Sequence, residues 1–473
     1  LGVQKGDKIA LLLSNRPEFL LAVFAAAEIG AVFVPINTAF SAEEAGYVLD
    51  HSESAFVVTE PAYLSLIALI GPSEDRPRLK KVVCLDSDSA PGRLGWDEFL
   101  HPASRATPAG RGVDVLPNDL ASITYTSGTT DRPKGVMLTQ LAYALAPQKR
   151  AEALGWDERD RAFVMMPLFH VNALCHMALA MISVGGSLAL AEKFSASRFW
   201  DETREYGATV ASLMRTIPTI LLSRPEKSDD ANNPLRLAVA LLPPELHVKF
   251  EARFGLTVAG SYSLTEDILS VLGPPDKAQR KLGSCGLPAA PEVHKIKILG
   301  EDGAALPPGQ LGEIVKRSPA VMRGYYKNPA ATAAALRDGW LHTGDLGYLD
   351  GDGFLYFVDR KKDMIKRGDE NISAEEVERA LNAHPLVAES AVVGVADPIR
   401  QEEVKAYVVL KAAATLDPEE LWRHCRERLA AFKIPRYLEF RDALPKTPSS
   451  KIQKHLLDTE AGARVVFDRT TKK

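Results

Sequence analysis

The chain has 473 residues, enough for about three average domains, and 46% of them are hydrophobic and 25% charged. Lys+Arg 57 against Asp+Glu 61 leave a formal net charge of −4, without the basic surplus that a nucleic-acid footprint requires. This balance excludes collagenous, disordered and disulfide-scaffold classes and suits a globular protein with a sizeable core.

The chain opens with Leu1-Gly-Val-Gln-Lys-Gly-Asp7 and has no basic stretch leading into an apolar run, so no signal peptide is read there. It is expected to begin inside a domain, with an upstream segment ahead of it. Lys8–Leu13 reads as a strand, Pro17–Glu28 as a buried helix closed by Gly30, and Ala31–Pro35 as a second strand. Ser122–Tyr125, Arg161–Met165 and Thr209–Leu213 read as further strands between helical patterns, which argues for α/β layers built on parallel sheets. Ala173–Ala191 reads as a helix and then a strand, broken by His176 and the Gly185-Gly186 pair. Neither it nor Phe19–Ile36, which holds Glu28, Gly30 and Pro35, is a charge-free run of about 20 residues, so no membrane span is expected.

From about Gly312 the pattern changes. Gly312–Lys316 and Gly353–Val358 look like antiparallel strands joined by Gly/Asp turns such as Asp350-Gly-Asp-Gly353. After Arg360, Ser373-Ala-Glu-Glu376 is a capping-box signature for a helix through Leu381. Strands at Ala391–Val395 and Val404–Leu410 follow. Asp417-Pro418 then opens a helix to about Ala431, with Asp as cap and Pro at the first position. Cys84, Cys175, Cys285 and Cys425 form no C-x-x-C pair and fit a reducing compartment, so the expected location is cytoplasmic.

The most informative stretch is Ala121-Ser-Ile-Thr-Tyr-Thr-Ser-Gly-Thr-Thr-Asp-Arg-Pro-Lys-Gly135. A strand runs into a loop of hydroxyls and glycine, which can offer backbone N–H groups and side-chain hydroxyls to phosphate oxygens, with Lys134 as a point charge. It is not a Walker A loop, because Pro133 takes the place of the second glycine and Gly135 follows the lysine. Taken in isolation, the same composition also suits a plain solvated turn.

Thr126-Ser-Gly-Thr-Thr130 with Pro133-Lys-Gly135 resembles the phosphate loop of the adenylate-forming superfamily, which holds acyl-CoA synthetases, luciferases and nonribosomal adenylation domains. Four further matches follow in the family's order: Tyr262-Ser-Leu-Thr-Glu266, Gly339-Trp-Leu-His-Thr-Gly-Asp345, Asp359-Arg-Lys-Lys-Asp-Met-Ile-Lys366 and Pro445-Lys-Thr-Pro-Ser-Ser-Lys451. Together they span nearly the whole chain. The fold this implies is α/β: a large N-terminal region of layered α/β sheets with a small barrel-like β portion over residues 1–359, a hinge at 360–362, and a small mobile α+β domain over 363–473. Leu235-Arg-Leu-Ala-Val-Ala-Leu-Leu-Pro-Pro244, Pro398–Leu410 and Phe432-Lys-Ile-Pro435 look like the carnitine/crotonobetaine-CoA ligase-like branch. The first of these segments is shorter than the usual Gly-Gly-Ala-Pro adenine wall.

The resemblance implies that a carboxylate attacks the α-phosphate of ATP to give an acyl-adenylate and pyrophosphate, and that a nucleophile then displaces AMP. Thr126, Ser127, Gly128, Thr129, Thr130 and Lys134 are then the phosphate loop. Thr265 contacts the α-phosphate, Tyr262 stacks near adenine, and Glu266 is the ligand of Mg²⁺, a cation that favours hard oxygens. Asp345 accepts the ribose hydroxyls, Arg360 holds the ribose from the hinge side, and Lys451 sits between the substrate carboxylate and the α-phosphate. His170 lines the acyl tunnel, with a hydrogen-bonded core histidine as its plain alternative. Val171, Asn172, His176, Ser212, Gly260 and Ser261 are expected near the acyl pocket, and for His176 a helix-capping role stands equally open. A metal site from His170, Cys175 and His176 lacks a fourth ligand at suitable spacing. Lys362 is the hinge residue about which the small domain rotates, bringing the Lys366 loop to the adenylate.

Four family glycines are replaced, by Asp131, Ser263, Asp369 and Ser450. Asp tolerates left-handed backbone better than most residues, but a carboxylate about 4 Å from a phosphate costs about 4 kcal/mol at an effective dielectric of 20. Asp131 is therefore expected to point away, toward Arg132. Gly368 and Asp369 line the channel by which the pantetheine arm of coenzyme A (CoA) reaches the adenylate, where a side chain obstructs a thiol arm and its charge favours an amine. The leading expectation is an acyl-CoA synthetase using ATP, Mg²⁺ and CoA on a small-molecule carboxylic acid, with no nucleic-acid or membrane partner. An amide-bond synthetase in which a free amine attacks the adenylate is the second reading, and a non-catalytic nucleotide-binding relative the third.

Overall fold

The structure, a computed structural model of the protein, describes residues 2–70, 79, 81–100, 113–126, 133–213, 216–360, 363–367, 370–397, 400–429, 431–446, 451–457 and 466–469. A seven-stranded sheet runs in the spatial order Arg93–Gly95, Lys81–Cys84, Phe56–Thr59, Lys8–Leu12, Val32–Pro35, Leu120–Thr126, Lys134–Thr139. All its pairs are parallel except the last, which is an antiparallel hairpin. A second, all-parallel sheet of five strands runs Thr257–Ala259, Leu237–Val239, Val210–Ser212, Arg161–Val164, Ser187–Leu190.

Parallel strands covered on both faces need apolar residues at every position. In the second sheet Ala162, Val164, Val210, Leu237 and Val239 face a core shared with Leu11 and Phe33 of the first sheet. The intervening Phe163, Ala211, Ala238 and Val258 face a separate core closed by Phe199, Phe250 and Phe254. Helical segments supply Phe19, Leu20, Val23, Leu174, Met177 and Met181 to the shared core, so helices lie between the two sheets. The helix Pro17–Glu28 starts on a proline and stops where Gly30 takes a positive φ of 67°, at a position where a Cβ would stand 2.9 Å from Lys5 Cγ.

The first wholly antiparallel sheet comes earlier than the sequence pattern suggests, beginning with the hairpin Ser261–Leu264 with Asp267–Leu272. A five-stranded antiparallel sheet follows, made of Lys295–Leu299, Gly312–Arg317, Leu336–Arg337, Trp340–Leu349 and Leu355–Arg360. The Cys285 N–H donates to the Leu355 carbonyl at 2.7 Å and stitches the two antiparallel units together. The last six-stranded sheet is centred on Gln401–Leu410 and covered by the helices Ala374–Asn382 and Pro418–Arg426. Ser373 and Asp417 cap those helices, each side chain accepting from a backbone N–H of the first turn, at Glu376 and Glu419. The second helix ends at Arg426, short of Ala431, and a 3₁₀ turn follows at Ala431–Lys433. Leu429 and Ile434 both enter the same core, and residues five apart point about 140° away from each other on an α-helix.

The segment after His170 also departs from a plain helix. It is α-helical over Val171–Ala173, a π-helix over Leu174–Leu179 and α-helical again over Ala180–Ser183, before the strand Ser187–Leu190. Such wide turns are rare and cluster at functional sites. Among the described residues no helix is long and apolar enough to cross a membrane.

Candidate active site

The expected phosphate loop joins two antiparallel neighbours, with Thr126 opposite Lys134 and Tyr125 opposite Gly135. Ser127, Gly128, Thr129, Thr130, Asp131 and Arg132 lie outside the described residues. The base of the hairpin is tightly specified. A Cβ on Gly135 would stand 2.7 Å from Ile123 Cγ2 and 3.1 Å from the Tyr125 ring. Beneath it, the Tyr47 hydroxyl donates to the Pro133 carbonyl at 3.3 Å, and the Tyr125 hydroxyl lies 2.7 Å from His51 Nδ1. Burial, and secondarily the nearby Lys327 charge, hold His51 below its usual range.

Leu264 pairs with Asp267, which leaves Thr265 and Glu266 as the two residues of a tight turn at the hairpin tip. The Glu266 carboxylate accepts the Tyr325 hydroxyl through Oε1 at 2.9 Å. The Tyr325 ring lies beneath the Lys134 ammonium, 5.3 Å from ring centre to nitrogen, an attraction of about 0.5–1 kcal/mol at an exposed site. Tyr325 thus links the lysine of the phosphate loop to Glu266. Burial and the Glu266 charge push its phenol upward, so it stays a donor.

Glu266 engages no second side chain among the described residues, and a carboxylate oxygen is a hard donor of the kind Mg²⁺ takes. No group of three His, Cys, Asp or Glu residues able to hold a metal exists among the described residues. Mg²⁺ is commonly held by one or two carboxylates together with substrate phosphates and water.

A second chain of contacts surrounds Asp345, which is 1% exposed. Its strand places it directly opposite Arg360, whose Nε lies 3.2 Å from Asp345 Oδ1. The Tyr262 hydroxyl donates to Oδ2 at 2.8 Å. The Tyr262 ring is buried and stacks on Phe357, with Lys316 over its face. The structure therefore couples Tyr262 to the expected ribose acceptor, a contact the sequence pattern does not disclose. The Arg360 charge also acts weakly on the Tyr325 phenol, against the larger effects of burial and Glu266.

His170 precedes the π-helical segment. Its buried Nε2 has no hydrogen-bond partner among the described residues, and burial together with the Lys451 charge lowers its pKa to about 4. Asn172 donates to Ser212 Oγ at 3.0 Å, and its own Oδ1 is buried without a hydrogen-bond partner among the described residues.

The other expected pocket residues divide. Val171 is buried in an apolar cluster with Val136, Cys175 and Ile268. His176 is fully buried with Nε2 2.8 Å from the Ile268 carbonyl, and burial lowers its pKa to about 3, so it serves as a hydrogen-bonded core histidine in place of a helix cap. Gly260 meets backbone: a Cβ there would fall 2.3 Å from the Ser284 carbonyl oxygen, so its role is close packing. Ser261 is half-buried at the start of its hairpin. Lys366 lies on the strand Met364–Arg367, whereas Lys362, Gly368, Asp369 and Ser450 lie outside the described residues.

One further residue emerges at the end of the large region. Asp359 is buried, and its Oδ2 accepts from Ser373 Oγ at 2.7 Å and from the Glu375 N–H at 3.0 Å. It therefore ties the last strand before the expected hinge to the first helix after it. No local pattern marks Asp359 for this, because the contact depends on how two separate sheets meet.

Comparison with known proteins agrees with this geometry. The profile of the AMP-binding enzyme family matches residues 1–326, and that of the AMP-binding enzyme C-terminal domain matches residues 376–451. The crotonobetaine/carnitine–CoA ligase of Salmonella arizonae is 38% identical over 467 residues, covering 96% of this chain and 88% of its own length. The o-succinylbenzoate CoA synthetase of Bacillus subtilis, solved with its acyl-adenylate intermediate, superposes with a TM-score of 0.82 at 32% identity, over 96% of this chain and 89% of that one. An anthranilate CoA ligase solved with anthranoyl-AMP gives a TM-score of 0.86 at 28% identity, over 96% and 88%. The chain belongs to the AMP-binding enzyme family of ATP-dependent, adenylate-forming ligases.

Proposed function

We propose that the protein joins a carboxylic acid to the thiol of CoA through an acyl-adenylate. Two contact chains support this reading, one of Lys134, Tyr325 and Glu266 and one of Tyr262, Asp345 and Arg360. In the first step a carboxylate oxygen forms a bond to the α-phosphorus as the bond to the pyrophosphate oxygen breaks. Two anions must approach, so the barrier is chiefly electrostatic, and positioned cations and donors lower it. Thr126, Ser127, Gly128, Thr129, Thr130 and Lys134 hold the departing phosphates, and Thr265 contacts the α-phosphate. Glu266 holds Mg²⁺, which neutralises phosphate charge when bound.

Asp345, oriented by Tyr262 and Arg360, accepts the ribose hydroxyls. Lys451 bridges the attacking carboxylate and the α-phosphate, while neutral His170 with Val171, Asn172 and Ser212 borders the acyl group. In the second step the thiol sulfur adds to the acyl carbon, its proton leaves, and the C–O bond to AMP breaks. Residues 1–359 form the large domain, 360–362 the hinge with Lys362 at its centre, and 363–473 the small domain. Rotation at the hinge withdraws Lys451 and brings the Lys366 loop, with Gly368 and Asp369, to the adenylate. Four free cysteines support a reducing, cytoplasmic location.

Asp369, in place of a family glycine, favours a second reading in which an amine is the acceptor. The test is a product analysis by mass spectrometry. The protein, ATP, Mg²⁺ and a panel of aryl and aliphatic acids are combined with CoA and a primary amine, together and separately. Acyl-CoA with AMP and pyrophosphate is expected wherever CoA is present. An amide formed without CoA overturns the thiol reading, and absence of pyrophosphate release with every acid leaves a non-catalytic nucleotide binder.

A further inference from the structure

Arg150 lies in the helix Gln140–Leu154 and is 0% exposed. A buried cation is normally paired, because an uncompensated charge costs several kcal/mol after relaxation. Arg150 has no such partner among the described residues. Its Nη1 donates to Ser270 Oγ at 3.1 Å, while Nε and Nη2 are buried without any acceptor among the described residues. Burial lowers its pKa to about 10, which still leaves it charged at neutral pH.

The groups around it do not neutralise it. Cys175 is buried with its thiol pushed up to about 12, so it is no anion. His176 is held near 3 by burial and His294 likewise, so both are neutral. Asp267, on the same strand as Ser270, is committed elsewhere: Oδ2 lies 2.9 Å from Lys316 Nζ, and Oδ1 accepts Ser318 Oγ at 2.8 Å. Among the described residues the neighbourhood therefore carries one uncompensated positive charge with two N–H groups directed at no acceptor.

The elements around this charge continue those assigned to the acyl group under the proposed function. Cys175 and His176 continue the segment that begins with His170, Val171 and Asn172, and Ser270 continues the strand that follows Glu266. We propose that Arg150 is a specificity-determining residue at the inner end of the acyl pocket, where it takes the second carboxylate of a dicarboxylic acid. This rests on the ligase reading and deepens it. A guanidinium offers two parallel N–H donors that match a carboxylate, and here binding satisfies two orphaned donors and one buried charge together. The same charge repels an acid with a trimethylammonium group, such as carnitine. The chain thus departs in substrate class from the carnitine-named ligases it resembles at 38% identity.

The test compares wild type with Arg150→Met and Arg150→Lys in acid-dependent ATP–pyrophosphate exchange. Straight-chain dicarboxylates are each paired with the monocarboxylate of equal length, and a trimethylammonium acid is included. Wild type is expected to favour the dicarboxylate of at least one pair in kcat/KM, and Arg150→Met to lower that ratio about 100-fold, equivalent to about 2.7 kcal/mol. Arg150→Lys, with charge but no fork, is expected to fall between. Equal loss on every acid, or a wild-type preference for the monocarboxylates or the trimethylammonium acid, overturns the proposal. Melting without ATP gives a second readout. Arg150→Met removes an unpaired buried charge and is expected to melt higher than wild type, and dicarboxylates are expected to stabilise wild type but not the variant. If no acid drives exchange, the ligase reading fails by itself. Arg150 is then judged by melting, where a lower-melting variant or equal stabilisation of both proteins overturns its assignment.

Discussion

Tyr262→Phe removes one hydroxyl from the interior and tests how the nucleotide site is built. The lost oxygen lies 2.8 Å from Asp345 Oδ2. Asp345 is 1% exposed, so water cannot readily replace the donor. A hydrogen bond to a charged group contributes about 1.5–3 kcal/mol. The Arg360 contact to the other oxygen at 3.2 Å remains, and the phenyl ring keeps its stack on Phe357, so the fold is retained. If Asp345 accepts the ribose hydroxyls, its loss of orientation falls on ATP. At about 1.4 kcal/mol per decade, the KM for ATP is expected to rise about 10-fold, with a ceiling near 100-fold if the whole contribution reaches the nucleotide. Pyrophosphate exchange at saturating acid and varied ATP measures this, with AMP binding by calorimetry as the equilibrium check. A variant that melts lower yet keeps the wild-type KM for ATP and affinity for AMP would refute the coupling of Tyr262 to the ribose site.

Asp359→Ala removes the acceptor that joins the end of the large region to Ser373 Oγ and the Glu375 N–H. Single-turnover adenylation is expected to slow about 10-fold, the equivalent of one such bond at about 1.4 kcal/mol, while thioester formation from supplied acyl-adenylate is spared; equal slowing of both halves contradicts a role confined to this arrangement. The buried histidines make a pH prediction. Burial lowers His176 to about 3, and burial with Lys451 lowers His170 to about 4. Both folded values lie below the unfolded value of about 6.5, so the unfolded chain binds more protons between them. Their contribution to stability is complete above pH ~6.5 and falls as pH drops, by up to about 1.4 kcal/mol per pH unit for each histidine. His176→Gln retains an amide donor for the Ile268 carbonyl and is expected to flatten the acid side of denaturant-measured stability by one histidine's share. An unchanged slope rules out burial of His176 as a cause.

Much of the fold was legible wherever the cause is local. The strand Lys8–Leu12 and the helix Pro17–Glu28 follow from a short apolar run, a proline start and a glycine stop. The caps at Ser373 and Asp417 follow from hydroxyl and carboxylate chemistry within one turn. The ordered motifs likewise pointed to adenylate chemistry, since each is a contiguous run whose residue types suit phosphate, ribose or carboxylate. The wide turn at Leu174–Leu179 was not legible, because the same apolar run serves an ordinary helix and the choice is made by packing between two sheets.

The sequence by itself determined the layered α/β class, the order of its elements and which segments carry the chemistry. Tertiary structure alone decided which side chains meet. Tyr325 reaches Glu266 across 59 residues, Tyr262 reaches Asp345 across 83, and Arg150 reaches Ser270 across 120. No periodicity or motif spacing encodes such pairs. They exist because separate sheets bring distant strands side by side, where low exposure makes each unpaired charge or donor costly enough to fix its partner or to demand one from outside.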